Sequence, residues 1–112
     1  IMRFVNLTPH AIVVRTSEGD MTFAPSGAVA RVSTEVETLG AVGGIPLTRT
    51  VFGAPVGVPD IEEGTIFIVS SLVGARVCRP DVVAPDTGAT AIRENGQVVA
   101  VRGFQTFLGP ET

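Results

Sequence analysis

Tryptophan, tyrosine and lysine are missing from this 112-residue sequence, and cysteine and histidine occur once each. Because Cys78 is alone, no intramolecular disulfide can form, which is typical of a protein from a reducing compartment. A zinc site built from the usual histidine and cysteine ligands is excluded for the same reason. The sequence therefore predicts a domain that holds no metal and no cofactor and depends on its apolar core.

Charge is also scarce, because only 17% of the residues are charged and the formal net charge is −3. Nucleic-acid binding depends on clustered basic side chains, so we expect no nucleic-acid partner. All eight basic residues are arginine, which reflects either a coding bias or a need to grip phosphate or carboxylate groups. A surface with so few charges favours self-association, and we expect a homo-oligomer.

Long apolar runs are absent as well. No segment approaches the ~20 residues of a membrane span, and no charged-then-apolar leader opens the chain. We therefore expect a protein of the cytoplasm with no membrane partner.

What is present is a high apolar content of 45%, interrupted by glycine, proline and small polar residues every eight to ten positions. This spacing predicts many short strands in a single domain that spans residues 1–112. The expected fold is mainly β, α+β at most: a compact antiparallel sheet, a partly open barrel or a sandwich, with one short helix. The predicted strands cover residues 3–7, 10–15, 21–24, 28–37, 45–52, 65–69, 90–94 and 97–102.

Several of these segments carry more specific predictions. Segment 10–15 is apolar on both faces, which indicates a central strand, and segment 65–69 should be the most buried. Segment 28–37 alternates between apolar and polar residues, so we expect a strand with one buried face and one solvent-exposed face. The glycines of segment 40–44 predict a mobile loop or bulge. Segment 72–79 has the start and stop signals of the one helix.

The end of the chain holds the clearest turn signal. Asn95 and Gly96 both tolerate positive φ, and they separate two apolar runs, so they predict a hairpin with a type I′ turn. Phe104 and Phe107 follow, and we expect these two large apolar side chains to pack in the core or at an interface.

The first candidate site lies in the opening segment. If this segment is extended, the side chains of Asn6, Thr8 and His10 project to one side at the mouth of an apolar strand. Such convergent polar groups beside an apolar lining are typical of ligand pockets. The alternative is a local turn in which Asn6 and Thr8 satisfy backbone groups and His10 is a paired, partly buried ring.

Further candidates surround the predicted helix. Ser70 and Ser71 lie at its start, where backbone N–H groups can meet an anion, although a plain N-cap is the commoner role. Arg79 lines a pocket or forms a surface ion pair with Asp81 in a stiff proline-rich loop. Arg31 projects from a strand face toward solvent or toward a ligand.

A catalytic site has little support in this sequence. Ser71, His10 and Asp81 could be combined into a triad, but no nucleophile-elbow motif accompanies them. No glycine-rich phosphate loop or dinucleotide fingerprint occurs either. We predict no catalytic residues and no enzymatic activity.

The combined motifs resemble a family of small proteins from tailed phages and bacterial genomes. The resemblance extends over nearly the whole chain, and the opening Asn-Leu-Thr-Pro-His motif is its most specific part. The matching segments are Asn6-Leu7-Thr8-Pro9-His10, Pro25-Ser26-Gly27, Ala30-Arg31-Val32, Gly44-Ile45-Pro46, Ile68-Val69-Ser70 and the spaced residues Arg79, Asp81 and Pro85.

Small β-rich phage proteins are similar in outline to anti-defence sponges, which sequester nucleotide-derived immune signals without cleaving them. This similarity implies a binder of a small anionic, nucleotide-like ligand in the cytosol of a bacterial host. Asn6, Thr8 and His10 would then contact polar edges of the ligand, and Ser71, Arg79 and Arg31 would contact its phosphates. The alternatives are a minor virion or assembly protein that self-associates through Phe104 and Phe107, and a small nucleotide hydrolase that uses His10.

Overall fold

The computed structural model describes residues 1–109, which form ten strands and one helix. The elements are β1 (Arg3–Asn6), β2 (Ile12–Thr16), β3 (Gly19–Phe23), β4 (Arg31–Val42), β5 (Ile45–Val56), β6 (Thr65–Ile68), α1 (Ser71–Val77), β7 (Val82–Pro85), β8 (Ile92–Glu94), β9 (Gln97–Ala100) and β10 (Phe104–Gln105). Within this part of the chain the strands belong to one four-stranded sheet and three two-stranded hairpins. The predicted class, mainly β with one short helix, is confirmed.

The four-stranded sheet is the centre of the molecule, with strand order β1-β6-β7-β10. β1 pairs in parallel with β6, β6 pairs in parallel with β7, and only β10 runs antiparallel to its neighbour β7. The parallel pairing differs from the expected antiparallel sheet, because α1 forms a crossover between β6 and β7. Parallel strands covered in this way are apolar on both faces.

The hydrophobic core lies between this sheet, α1 and the segment that precedes β4. Its buried members are Leu7, Ala30, Phe67, Val69, Val73 and Val82. Segment 65–69 was predicted to be the most buried strand, and this is confirmed, since Ile68 and Val69 have no solvent exposure. The strand β7 was not predicted, because Pro80 and Pro85 at its two ends suggested a loop.

The hairpin β2–β3 flanks the central sheet, and segment 10–15 is therefore not a central strand as predicted. Only Val14 within β2 is fully buried. Arg15 N donates to Val101 O at 2.7 Å and Val101 N donates to Val13 O at 2.9 Å, which connects this hairpin to the chain after β9. The hairpin β8–β9 has the predicted turn, with φ of 52° at Asn95 and 79° at Gly96.

The hairpin β4–β5, here called the arm, is the most unusual element. Each of its strands has 12 residues, whereas no other strand is longer than five. The predicted buried face of segment 28–37 holds at Ala30 and Val32, which belong to or pack against the core, but it is wrong farther along, because Val36 is 67% exposed. The hairpin extends past the rest of the molecule, here called the body, so nothing covers that face. Segment 40–44 is not a loop: β4 continues to Val42, and Gly43 and Gly44 form the turn.

The helix α1 is shorter than predicted, and its packing explains its glycine. A Cβ atom on Gly74 would lie 2.6 Å from Cε2 of Phe107, so the glycine provides room for this ring. Cys78 ends the helix in the left-handed conformation with φ of 51°. Phe104 packs elsewhere, 5.8 Å from both Phe4 and Phe23 between ring centroids. Both late phenylalanines thus serve the body rather than an exposed patch.

Among residues 1–109 no helix is long and apolar enough to cross a membrane.

Candidate functional site

An open groove of about 700 Å³ lies between the opening loop, the root of the arm and the start of α1. This size lies within the range of small-molecule sites, roughly 300–1,000 Å³. The groove is lined by Leu7, Thr8, Pro9, Val29, Ala30, Arg31, Val32, Ser33, Ala54, Val56, Ser70, Leu72 and Val73. Nine of these thirteen residues are apolar, and the other four are three hydroxyl residues and one arginine.

Backbone hydrogen bonds hold the three walls of the groove together. Ala30 N donates to Leu7 O at 3.0 Å, which joins the segment before the arm to the opening strand. Gly57 closes the other side of the arm root with φ of 85°, and a Cβ atom there would lie 2.9 Å from Val29 O. Only glycine allows this close approach. The groove is therefore a built feature whose walls are fixed by the backbone.

The opening loop is organised by the side chain of Asn6, which is 2% exposed. Its Nδ2 donates to His10 O at 2.9 Å and to Phe23 O at 3.0 Å. Its Oδ1 accepts from Thr8 N at 2.9 Å and from Thr8 Oγ1 at 2.7 Å. Asn6 thus has no capacity left for a ligand, and its contacts are those of the local-turn alternative.

The other two residues of the opening motif differ in their access to the groove. Thr8 lines it, but its hydroxyl proton is directed toward Asn6 Oδ1 and His10 O, so toward a ligand Thr8 can only accept. His10 is exposed, and its side chain is not part of the groove lining. The imidazole is therefore not among the side chains that the groove brings together.

The helix start contributes one serine to the groove. Ser70 lines it and is the N-cap of α1, because its Oγ accepts from Val73 N at 3.4 Å. The hydroxyl proton of Ser70 remains available to a ligand. Ser71 is exposed outside the lining, and its Oγ lies 3.3 Å from Nε2 of Gln105.

The root of the arm supplies the only cation of the lining, Arg31. The three ion pairs found among residues 1–109 involve Arg15, Arg49 and Arg79. Within that part of the chain, Arg31 therefore has no carboxylate partner and is available for an anion. Guanidinium binds phosphate and carboxylate groups with two parallel hydrogen bonds.

Arg79 and Asp81 do not line the groove but bind each other. Nε and Nη2 of Arg79 donate to the two oxygens of Asp81 at 2.9 and 2.6 Å, and Nη1 donates to Pro59 O at 2.9 Å. These hydrogen bonds lower the pKa of Asp81 below the ordinary value of its carboxyl group and raise the pKa of Arg79. The pair fixes the loop that enters β7.

Of the eight predicted site residues, the groove thus brings together Thr8, Arg31 and Ser70. Ser33 was missed by the sequence analysis. It lies opposite a bulge in β5, where a Cβ atom on Gly53 would overlap Ser33 Oγ. The signal available in the sequence was Gly53 inside a run of β-forming residues, since an isolated strand glycine often marks a bulge or a close approach.

Among residues 1–109, no histidine, cysteine, aspartate or glutamate lines the groove. Such side chains are the usual general acids and bases, and serine or threonine hydroxyls need an adjacent base to act as nucleophiles. The lining offers groups suited to binding: apolar side chains can cover a flat or aliphatic surface, hydroxyl groups can contact polar edges, and Arg31 can contact an anion. No group of three metal-ligating side chains occurs among residues 1–109. Comparison with family models, curated proteins and solved structures finds no significant match.

Proposed function

We propose that this protein is a non-catalytic binding protein that holds a small anionic ligand of the nucleotide kind in the groove. The observation that carries the proposal is the position of Arg31, an arginine without a carboxylate partner among residues 1–109, at the rim of an apolar groove of ligand size. A base or another flat apolar group would lie against Val29, Val56 and Leu72. The phosphate would meet the Arg31 guanidinium, with Ser33 and Ser70 as hydroxyl partners.

The proposal extends to sequestration, as in anti-defence sponges. What supports it is a lining that, among residues 1–109, offers apolar, hydroxyl and guanidinium groups but no histidine, cysteine or carboxylate for acid–base catalysis. A sequestering protein needs tight, stoichiometric binding and releases its ligand unchanged. A hydrolase that uses His10 would need the imidazole near the bound ligand, and this side chain is not part of the lining.

A direct test uses purified protein and a panel of AMP, ATP, ADP-ribose and a cyclic dinucleotide, titrated by calorimetry. We expect one of these to bind and Arg31→Ala to weaken it by about 10- to 100-fold, the effect of losing about 1.5–3 kcal/mol of charge-assisted hydrogen bonding. The matched control is Arg102→Ala, since Arg102 is also an exposed arginine and lies outside the groove. Equal affinities for the two variants would reject the groove as the binding site.

A second test separates sequestration from turnover. The protein is incubated with extract from immune-activated bacteria, repurified and heat-denatured, and the released small molecules are identified by mass spectrometry. An intact nucleotide at about one per chain supports sequestration. A modified nucleotide would indicate an enzyme, and an empty groove would favour the structural alternative below.

The second candidate function is that of a structural or assembly protein. The observation in its favour is the arm, whose exposed apolar side chains are typical of surfaces that contact other proteins. This candidate predicts that no member of the panel binds and that Arg31→Ala behaves like wild type in assembly assays.

A further inference from the structure

The arm combines two properties that are rarely found together in a monomer, great length and apolar exposure on both faces. Its strands pair from Arg31 and Val56 at the root to Val42 and Ile45 at the tip. Every residue of 33–54 is exposed. The exposed large apolar side chains are Val36, Leu39, Val42, Ile45, Leu47, Val51, Phe52 and Val56. Since directly paired residues project to the same face, Val42 and Ile45 form one continuous apolar tip.

The overall dimensions show how far the arm departs from the body. The radius of gyration is 16.7 Å, and the longest extent is 54 Å against 37 and 36 Å for the others. A compact domain of about 100 residues has a radius of gyration of only about 13 Å. A two-stranded hairpin without further packing is marginally stable in water. The helix α1 supports the root of the arm, where the Arg76 guanidinium lies 4.2 Å from the centroid of the Phe52 ring. Beyond this root, the arm requires a surface to pack against that the described residues do not supply.

We propose that the occupant of this surface is a second copy of the same chain, and that the protein is a homodimer or a larger homo-oligomer joined through its arms. The inference concerns the arm alone and does not depend on what the groove binds.

Charge distinguishes the arm from the rest of the molecule in a way that favours self-association. Segment 31–56 contains two arginines and two glutamates and is neutral, so the whole net charge of −3 resides in the rest of the chain. Two bodies therefore repel each other, while two arms do not. Glu37 and Arg49 already neutralise each other across the hairpin. A partner with a strongly charged surface would find nothing complementary on the arm.

The available area is also that of a stable dimer. Twelve residues per strand at about 3.4 Å per residue give an arm about 40 Å long, and two strands give a width of about 10 Å. One face presents roughly 400 Å² per copy, and two intertwined arms that cover both faces bury roughly 800 Å² per copy, which equals the contribution of each partner to a standard interface. The outer edge of β4 contains no proline over Arg31–Val42, so it can also accept another strand, whereas β5 carries Pro46 and Pro55.

The test is the mass of the protein in solution, measured by sedimentation velocity and light scattering from about 1 to 200 µM. We expect wild type at two or more chain masses. In the arm variant, Val42→Thr, Ile45→Thr and Leu47→Thr are combined, because threonine keeps the β propensity of the hairpin while it makes the surface polar. This variant should dissociate at concentrations at least about 100-fold higher than wild type does.

The matched control replaces three exposed apolar residues of the body in the same way, Met21→Thr, Ile61→Thr and Val98→Thr. It should keep the wild-type mass. A wild-type protein that stays at one chain mass up to 200 µM overturns the proposal, and the arm then serves a different partner. Equal dissociation of the arm variant and the control overturns it too, because the interface would lie elsewhere. The mass of the wild-type protein is measured without any variant, so the proposal can still be rejected if a variant misfolds.

Discussion

Asn6 illustrates how one buried polar side chain can determine the shape of a whole loop. Its amide joins three separate backbone or side-chain groups of the opening turn and one carbonyl of β3. Buried polar groups that lose their partner cost about 1–3 kcal/mol each. The Asn-Leu-Thr-Pro-His motif therefore has a structural role, which is to hold the opening turn, and this role does not depend on a ligand.

We accordingly expect Asn6→Ala to lower the free energy of unfolding by about 2–4 kcal/mol, because several groups would lose their partner at once. Thr8→Val removes only the hydroxyl contacts and should cost about 1 kcal/mol. Denaturant unfolding followed by circular dichroism measures both values. An Asn6→Ala variant as stable as Thr8→Val would show that the amide network is not what holds the turn.

The ion pair of Arg79 and Asp81 makes stability depend on pH at the acid end. Its hydrogen bonds lower the pKa of Asp81 in the folded state. As the pH falls, the Asp81 carboxylate is therefore protonated in the unfolded chain at a higher pH than in the folded protein. The contribution of Asp81 is fully present above the unfolded pKa of about 4 and is lost as the pH falls through the folded pKa. Denaturant midpoints measured from pH 7 to pH 2 should fall in this acid range, and Asp81→Asn should flatten the decline.

Asp20→Asn is the control for that prediction. The pKa of Asp20 is also lowered, by its hydrogen bond to Arg15, but this pair lies in the solvent. Exposed pairs contribute little. Asp20→Asn should therefore leave the acid profile close to that of wild type, and an effect as large as that of Asp81→Asn would show that solvent exposure does not weaken the Arg15–Asp20 pair.

Among the elements, α1 contains a contact that reverses an ordinary rule. Replacing a helical glycine by alanine usually stabilises a protein by about 1 kcal/mol. At Gly74 the added methyl group would lie 2.6 Å from the Phe107 ring, so the ring would have to move. We expect Gly74→Ala to destabilise the protein by about 1–2 kcal/mol.

A double-mutant cycle checks this explanation. Phe107→Leu provides the missing space, so Gly74→Ala should be neutral or stabilising in that background. Thermal unfolding of the four proteins gives the coupling energy. If Gly74→Ala has the same effect with leucine at position 107, the ring is not the cause.

The elements themselves were largely predictable from the sequence, because most of them depend on local signals. The turn at Asn95 and Gly96 and the start of α1 at Ser70 follow from residue chemistry that acts over a few positions. The parallel pairing of β1 with β6 depends on residues distant in the chain and gives no local signal. The alternation of segment 28–37 indicated a strand but could not show whether a body lies beneath it.

The site was less predictable than the fold for the same reason. Thr8, Arg31 and Ser70 come from three segments, and only the tertiary structure shows that they share a groove. His10 and Arg79 carry the side chains most often used in binding sites, and this chemistry made them candidates. The structure gives His10 a place outside the lining and gives Arg79 a partner in Asp81. Residue type alone could not reveal either arrangement.

At the scale of the whole molecule, the body and the arm should differ in local stability. Phe67, Ile68 and Val69 lie in the centre of the core, whereas segment 33–54 is exposed throughout. Exchange of amide hydrogens slows with burial and cooperative packing. In the arm variant at low micromolar concentration, where the arms should be dissociated, we expect the slowest exchange in β6 and the fastest strand exchange in β4 and β5, measured by deuterium uptake. Uniform protection of both regions in a monomeric sample would contradict this division.

The parallel pairing of Arg3 with Thr65 has a consequence for synthesis on the ribosome. The central sheet cannot assemble until β6 and β7 have left the exit tunnel, whereas the arm can close between neighbouring residues as soon as Val56 emerges. The nascent chain can therefore expose the apolar hairpin before its hydrophobic core has formed. On polysomes, where identical chains grow side by side, the arm is the first surface on which two of them can meet.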